Sequence, residues 1–301
     1  MSRSIQVQAG NKLNLAGKLL DVAFGDGKLA DGRPYQRATV TIRVNQTYGG
    51  KEETSDIQVG MFATEHTSTG KLNPAWKSLN DLKQMKTAQN VGIDNASNVR
   101  LTGATLQENN FVSRNGQLIS GWQIRGSFIN EAKVASVASF VTDIFIMSME
   151  DEVDREGDTT GRLKIRGGIV QYGGKLDVID FIVEAPDTVE YISRNWEVNG
   201  TVTVKGRIRV LSQEEEVQSS GWGEDVPDTT TRFVRELIIT TGDDECKEED
   251  FAYDPVEIKK AFNERKAAIE QLQINARATA PKQGAGSANS AEASSKKYDW
   301  E

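Results

Sequence analysis

The chain of 301 residues has one cysteine, one histidine and no long run of apolar side chains. The single thiol, Cys246, cannot form a disulfide within the chain, so nothing in the sequence indicates an oxidising compartment. No segment approaches the ~18 apolar residues of a membrane span, and residues 1–6 lack the apolar stretch of a secretory signal. We therefore expect a protein of the cytoplasm, or of the host cytoplasm if it is viral, with no membrane partner.

The scarcity of histidine also limits catalytic chemistry. His66 alone cannot supply a His-rich metal site, and it disfavours a Ser/His or Cys/His nucleophile. Residues 25–30 fit a loose dinucleotide pattern, but Pro34 follows where the helix of that motif would have to begin. Residues 152–163 resemble a calcium loop, yet its twelfth position is Leu163 instead of glutamate. The sequence predicts no enzymatic activity, no cofactor and no metal site.

A repeated tetrapeptide is the strongest pattern that is present. Residues 48–51 and 172–175 both have the sequence Tyr-Gly-Gly-Lys, and each lies between two segments in which apolar and polar residues alternate. Such a turn between alternating segments predicts a β-hairpin. A further strand, a short helical segment and a Gly-centred strand follow in each half, at residues 98–106 and 201–211 for the last of these. We interpret the chain as a duplicated domain.

The order of elements predicts the fold class. Each half has three strands, a helix and two strands, which is the order of the OB-fold, a five-stranded barrel that binds oligonucleotides. We expect a mainly β protein with two tandem OB-fold-like barrels, a C-terminal helix and a disordered tail. A different small antiparallel barrel or sandwich is the alternative. The predicted domains are residues 1–136, 137–246, 247–276 (helix) and 277–301 (linker and tip).

Charge is divided unequally within the net −8 of the chain. Residues 1–136 carry a net charge of +5, residues 137–246 carry −12, and residues 247–301 carry −1. An acidic protein can still bind nucleic acid through a basic face, because surface potentials are screened over ~10 Å.

Cations alternate with apolar residues in several predicted strands. Lys205, Arg207 and Arg209 lie opposite Val204 and Ile208, because successive strand residues face opposite sides. Outward cations also keep a strand soluble and discourage edge pairing, and this alternative stays open for each of them. The residues predicted to bind backbone phosphates are Arg33, Arg37, Arg43, Lys51, Lys164, Arg166, Lys205, Arg207 and Arg209.

Aromatic residues provide the second part of the predicted site. Nucleic-acid bases stack on aromatic rings without regard to sequence, at ~1–3 kcal/mol per base. The candidates for stacking are Tyr35, Tyr48, Phe62 and Tyr172. A packing or turn role is the alternative for the two turn tyrosines. Trp122 shares a strand face with Ile124, and we expect it to be a core residue.

The last residues combine a polar linker with an aromatic tip. Residues 278–295 are mostly small or polar and are expected to be disordered. The tip residues Tyr298, Asp299, Trp300 and Glu301 place two rings between acids. Rings on a tether are typical of peptides that dock into a partner, so we predict binding of replication or recombination proteins here. An inert end is the alternative.

The repeat, the basic strands and the tip together resemble a known design. Residues 10–242 resemble the tandem OB-fold single-stranded DNA-binding proteins of large bacteriophages. Residues 277–301 resemble the tails of bacterial single-stranded DNA-binding proteins, in which a disordered linker is followed by a short acidic, aromatic tip. Those tails, however, end in several aspartates and Pro-Phe. The resemblance implies sequence-independent binding of single-stranded DNA in replication or recombination. A non-catalytic adaptor whose barrels bind other proteins, or a protein that binds single-stranded RNA, are the alternatives.

Overall fold

The computed structural model describes residues 2–113, 115–154, 156–217, 228–244 and 251–279. In chain order the elements are β1 (Asn11–Lys28), β2 (Pro34–Tyr48), β3 (Lys51–Thr64), α1 (Pro74–Leu82), α2 (Ala88–Val91), β4 (Asn98–Thr102), β5 (Thr105–Val112), β6 (Leu118–Gly126), β7 (Phe128–Glu131), β8 (Val137–Val153), β9 (Thr159–Val170), β10 (Leu176–Val183), α3 (Pro186–Asn195), β11 (Thr201–Val217), β12 (Asp228–Gly242) and α4 (Pro255–Thr279). No helix among these is long and apolar enough to span a membrane.

The first barrel closes through strands β1 to β7. β2 pairs antiparallel with β1 and β3, β3 pairs parallel with β6, and β6 pairs antiparallel with β5. β4 returns to β1 and completes the ring. The predicted fourth strand is split here into β4 and β5, because Gly103 between them has a φ of +65°. This break lets β4 pair with β1 and β7 while β5 pairs with β6.

The second barrel, formed by strands β8 to β12, closes in the same way. β9 pairs antiparallel with β8 and β10, β10 pairs parallel with β12, and β11 pairs antiparallel with β12 and β8. α3 lies between the third and fourth strands, as α1 and α2 do in the first barrel. The predicted fold class, mainly β with two OB-fold-like barrels and a C-terminal helix, is confirmed.

Alternation of side chains explains the two cores. In β2, Val40, Ile42 and Val44 are buried, whereas the residues between them face outward. The helices close the cores from outside the sheet: α1 buries Leu79 and Leu82, each only 1% exposed. The alternation along β2 therefore assigned the inside and the outside of this strand correctly.

Both predicted hairpins are present. Gly49 and Gly50, with φ of +56° and +79°, form the two-residue turn between β2 and β3. Positive φ at both central positions matches the right-handed twist of the paired strands, and glycine adopts it without a steric cost. The second tetrapeptide connects β9 to β10 through a short 3-10 turn, Tyr172–Gly174.

The two barrels share one sheet of twelve strands. β1 pairs with β8 from Asn11 opposite Thr142 to Ala16 opposite Val137. The arrangement is therefore held by backbone hydrogen bonds as well as by side chains.

Helix α4 returns to both barrels. Its start is capped by Asp254, whose Oδ1 accepts from the Val256 N–H at 2.8 Å. Arg265 of α4 forms an ion pair with Glu108 of β5. Just before the helix, Tyr253 donates its hydroxyl proton to the Val7 carbonyl at 2.8 Å, and burial raises the pKa of this tyrosine to about 12. Residues 245–250 and 280–301, which include Cys246 and the predicted tip, lie outside the described residues.

Candidate nucleic-acid interface

Two of the predicted stacking residues lie together on the outer face of the first barrel. The ring centroids of Tyr35 on β2 and Phe62 on β3 are 5.4 Å apart, with an angle of 31° between the ring planes. Phe62 is 49% exposed. Gly27 on β1 is opposite Tyr35, and a Cβ at Gly27 would lie 2.7 Å from the Tyr35 hydroxyl oxygen. Because Gly27 has no side chain, Tyr35 can lie against the sheet. We call the pair Tyr35 and Phe62 the aromatic step.

Arg37 lies directly beside the aromatic step. It pairs in register with Phe62 on β3 and with Gly25 on β1, where a Cβ would lie 2.8 Å from Arg37 Nε. Arg37 is exposed, and its side chain forms no hydrogen bond or ion pair with any described residue. A free guanidinium next to exposed rings can bind the phosphates of bases stacked on those rings.

Three further predicted cations lie elsewhere on the first barrel. Arg33, in the loop before β2, forms an exposed ion pair with Asp31 at 2.7 Å, and its hydrogen bond lowers the pKa of that carboxyl. Arg43 forms a two-pronged ion pair with Asp56 on β3, at 2.8 and 2.7 Å. Lys51 is exposed at the start of β3. Of these three, only Lys51 has no carboxylate partner within the described part of the chain.

Cations on the second barrel are matched by acids. Arg166 binds Asp180 at 2.9 Å, and Lys164 approaches the same carboxylate at 3.8 Å. Lys205 pairs with Asp243 at 3.1 Å. The structure therefore brings these predicted phosphate ligands together with counter-charges, which weakens their attraction for a polyanion.

The prediction that Arg207 faces solvent is wrong. Its side chain is 5% exposed and forms ion pairs with Glu53 of β3 and Glu184 beyond β10. Its neighbour Arg209 binds Glu184 at 3.0 Å and also pairs with Glu236. Alternation along β11 does place these arginines outside the second barrel, but the first barrel covers that face.

Tyr48 is part of the same contact between the barrels. The Arg207 guanidinium lies 4.1 Å from the centre of the Tyr48 ring, and burial raises the pKa of the Tyr48 hydroxyl. The expectation of a free stacking platform at this turn is therefore corrected: the ring is occupied by a cation. Tyr172 differs, because it is 86% exposed and contacts no other ring in the described residues.

Two arginines that the sequence analysis did not select complete the surface. Arg125 on β6 is opposite Gly60 of β3, and a Cβ at Gly60 would lie 3.0 Å from its NH1. Arg235 on β12 lies 4.4 Å from the centre of the Trp122 ring and donates to the Trp122 carbonyl at 3.2 Å. Trp122 is a core residue as predicted, at 8% exposure. Alternation with Ile124 and Gly126 was the available signal for Arg125.

The family model described as YorF matches residues 9–275. The chain belongs to the YorF family. A search among curated proteins gives no match for this YorF-family chain. Among solved structures, the wild-type single-stranded DNA-binding protein from Thermus aquaticus aligns with a TM-score of 0.49 and 11% identity, over 80% of this chain and 96% of that one.

A deletion variant of the Thermus aquaticus protein aligns with a TM-score of 0.48 and 13% identity, over 82% of this chain and 98% of that one. The small single-stranded DNA-binding protein from Streptomyces coelicolor aligns with a TM-score of 0.26 and 13% identity, over 41% of this chain and 95% of that one.

Proposed function

We propose that the protein binds single-stranded DNA without sequence preference and that the first barrel provides the main binding surface. The observation that carries this proposal is the aromatic step, Tyr35 with Phe62, next to the unpaired Arg37. Rings accept any base, and a free arginine accepts the phosphate between bases. The faces of duplex bases are already stacked on each other, so exposed rings favour a single strand.

We further propose that the protein coats single-stranded DNA during replication or recombination and that it catalyses no reaction. Support comes from the nature of the contacts: stacking and ion pairing protect a strand of any sequence. Proteins of large bacteriophages with tandem barrels, which the sequence resembles, provide the analogy.

Affinity for oligo-dT is expected to fall steeply with salt concentration. Each phosphate contact to a single strand contributes about −0.7 to the slope of log K against log salt, so four contacts give a slope near −3. Fluorescence anisotropy with labelled oligo-dT, oligo-U and a duplex of equal length measures this slope and the preference among single-stranded DNA, single-stranded RNA and duplex. A flat response, or equal affinity for the duplex, would favour an adaptor that binds other proteins.

We also propose that the tip recruits replication or recombination proteins. Deleting residues 296–301, in which two lysines balance two acids, should leave oligo-dT affinity unchanged. Capture of such proteins on beads that carry single-stranded DNA should be lost. A full-length variant with Tyr298→Ala and Trp300→Ala keeps the charge and should behave like the deletion. Identical sets of captured proteins with all three chains would identify the tip as inert.

A further inference from the structure

A groove of about 470 Å³ lies on the outer face of the first barrel, where it includes Arg37 beside the aromatic step, and it reaches Arg235 of the second barrel. We call it the arginine groove. Its charged and amide side chains are Arg37, Arg125, Arg235, Gln58, Asn109 and Gln123. No aspartate or glutamate is among its lining residues in the described part of the chain, although the protein has a net charge of −8.

The three arginines of this groove have little internal compensation. The side chains of Arg37 and Arg125 form no hydrogen bond or ion pair with described residues, and the Arg235 side chain lies over the Trp122 ring and donates to the Trp122 carbonyl. Partial burial lowers the pKa of Arg235, because the surrounding protein displaces water from its charge. Guanidinium groups stay protonated at neutral pH, so three positive charges line one groove. All three attract an anion that enters the groove.

The neighbouring groove offers a contrast within the same molecule. It measures about 530 Å³ and meets the arginine groove at Trp122 and Arg235. Its cations are Lys164, Arg166, Arg235 and Arg265, and its carboxylates are Glu108, Glu152, Asp180 and Glu236. Equal numbers of both signs leave this balanced groove with no net attraction for a polyanion. A strand that leaves the aromatic step is therefore drawn into the arginine groove.

We propose that the arginine groove is a phosphodiester-binding site that carries single-stranded DNA from the aromatic step of the first barrel to Arg235 of the second. The proposal rests on the proposed function and adds the path of the strand. Arg37 belongs to both the step and the groove, and Arg125 follows two strands further across the sheet, beyond β3. The amides of Gln58, Asn109 and Gln123 supply neutral hydrogen-bonding groups along the path. A single strand is then held by both barrels.

Charge removal in the two grooves tests this path. The double variant Arg125→Gln with Arg235→Gln should reduce the salt slope for a long oligo-dT by about 1.4 and lower its affinity on the order of 25-fold at 0.1 M salt. The matched variant Lys164→Gln with Arg166→Gln removes the same charge from the balanced groove and should change the slope by less than half as much. Circular dichroism melting verifies that each variant is folded.

Single substitutions still test the path of the strand if Arg235→Gln disturbs the packing of Trp122. Arg125→Gln alone should reduce the slope by about 0.7, and Arg235→Lys, which keeps the charge, should retain the slope. Equal effects of the two double variants, or no effect of Arg125→Gln, would overturn the path. The proposed function is tested separately: it holds if wild-type protein binds oligo-dT and the Tyr35 and Phe62 double variant binds it more weakly, whatever the groove variants show. Absence of binding by the wild type would overturn both.

Discussion

Replacing Tyr35 and Phe62 together by alanine is expected to lower the affinity for oligo-dT by at least about 2 kcal/mol, roughly 30-fold, with an unchanged salt slope. Each ring offers a stacking surface for one base, and neither ring carries a charge, so the number of released counterions stays the same. Phe62 is 49% exposed, so its removal costs the core little. Anisotropy titrations at several salt concentrations measure affinity and slope together.

The matched control for this experiment is Tyr191→Ala. Tyr191 lies on α3 and is 46% exposed, close to the exposure of Phe62, but it is remote in sequence and fold from the aromatic step. Its removal should leave oligo-dT affinity unchanged. Wild-type affinity in the Tyr35 and Phe62 double variant would exclude the aromatic step from the site. Tyr172→Ala adds a separate measurement, since a loss of affinity there would show that the second barrel also stacks bases.

Replacing Arg207 by alanine is expected to lower the free energy of unfolding by about 3 kcal/mol. The side chain is almost fully buried between Glu53 and Glu184. Its removal leaves both carboxylates to Arg209, which lies 3.7 Å from Glu53 and 3.0 Å from Glu184 and already pairs with Glu236. Tyr48 also loses the guanidinium that covers its ring. The salt slope of oligo-dT binding by the folded protein should remain that of the wild type, because Arg207 does not face the solvent.

Lys205→Ala provides the comparison within the same strand. Lys205 is 47% exposed and forms one surface ion pair, with Asp243. Surface ion pairs contribute about 0–1 kcal/mol, so urea unfolding should detect little change in this variant. Equal losses of stability in the two variants would contradict the buried network. If the Arg207→Ala protein is as stable as the wild type and has a reduced salt slope, Arg207 binds a phosphate after all.

The cations of the second barrel therefore have a structural role that their pattern does not reveal. Arg162 binds Glu152 and Glu236, Arg209 binds Glu236 and Glu184, and Arg207 continues the network to the first barrel. Burial alone would raise the pKa of Glu236, but hydrogen bonds from both arginines outweigh it and lower this pKa. The network connects the second barrel to Glu53 of the first, in addition to the backbone pairing of β1 with β8.

Local sequence patterns were enough to predict the fold within each barrel. Alternation along β2 separated buried Val40 from outward Thr39, and the Gly49–Gly50 turn set the register of its hairpin. These signals are local, because strand period and turn geometry depend on residues close together in the chain. They also placed Phe62 on the outward face of its strand, whereas Tyr35, expected in or beside the loop before β2, lies on β2 itself.

Which outward residues stay accessible depends instead on the packing of the two barrels against each other. Arg207 and Arg125 both alternate with buried residues, yet Arg207 is covered by Glu53, 154 residues away in sequence, whereas Arg125 remains exposed. Strand period distinguishes the inside of a barrel from its outside, but it contains no information about a second barrel packed against that outside. Counter-charges for Lys164, Arg166 and Arg209 likewise come from other strands. Long-range packing therefore determines which cations remain without a carboxylate partner, and no local pattern in the sequence specifies that packing.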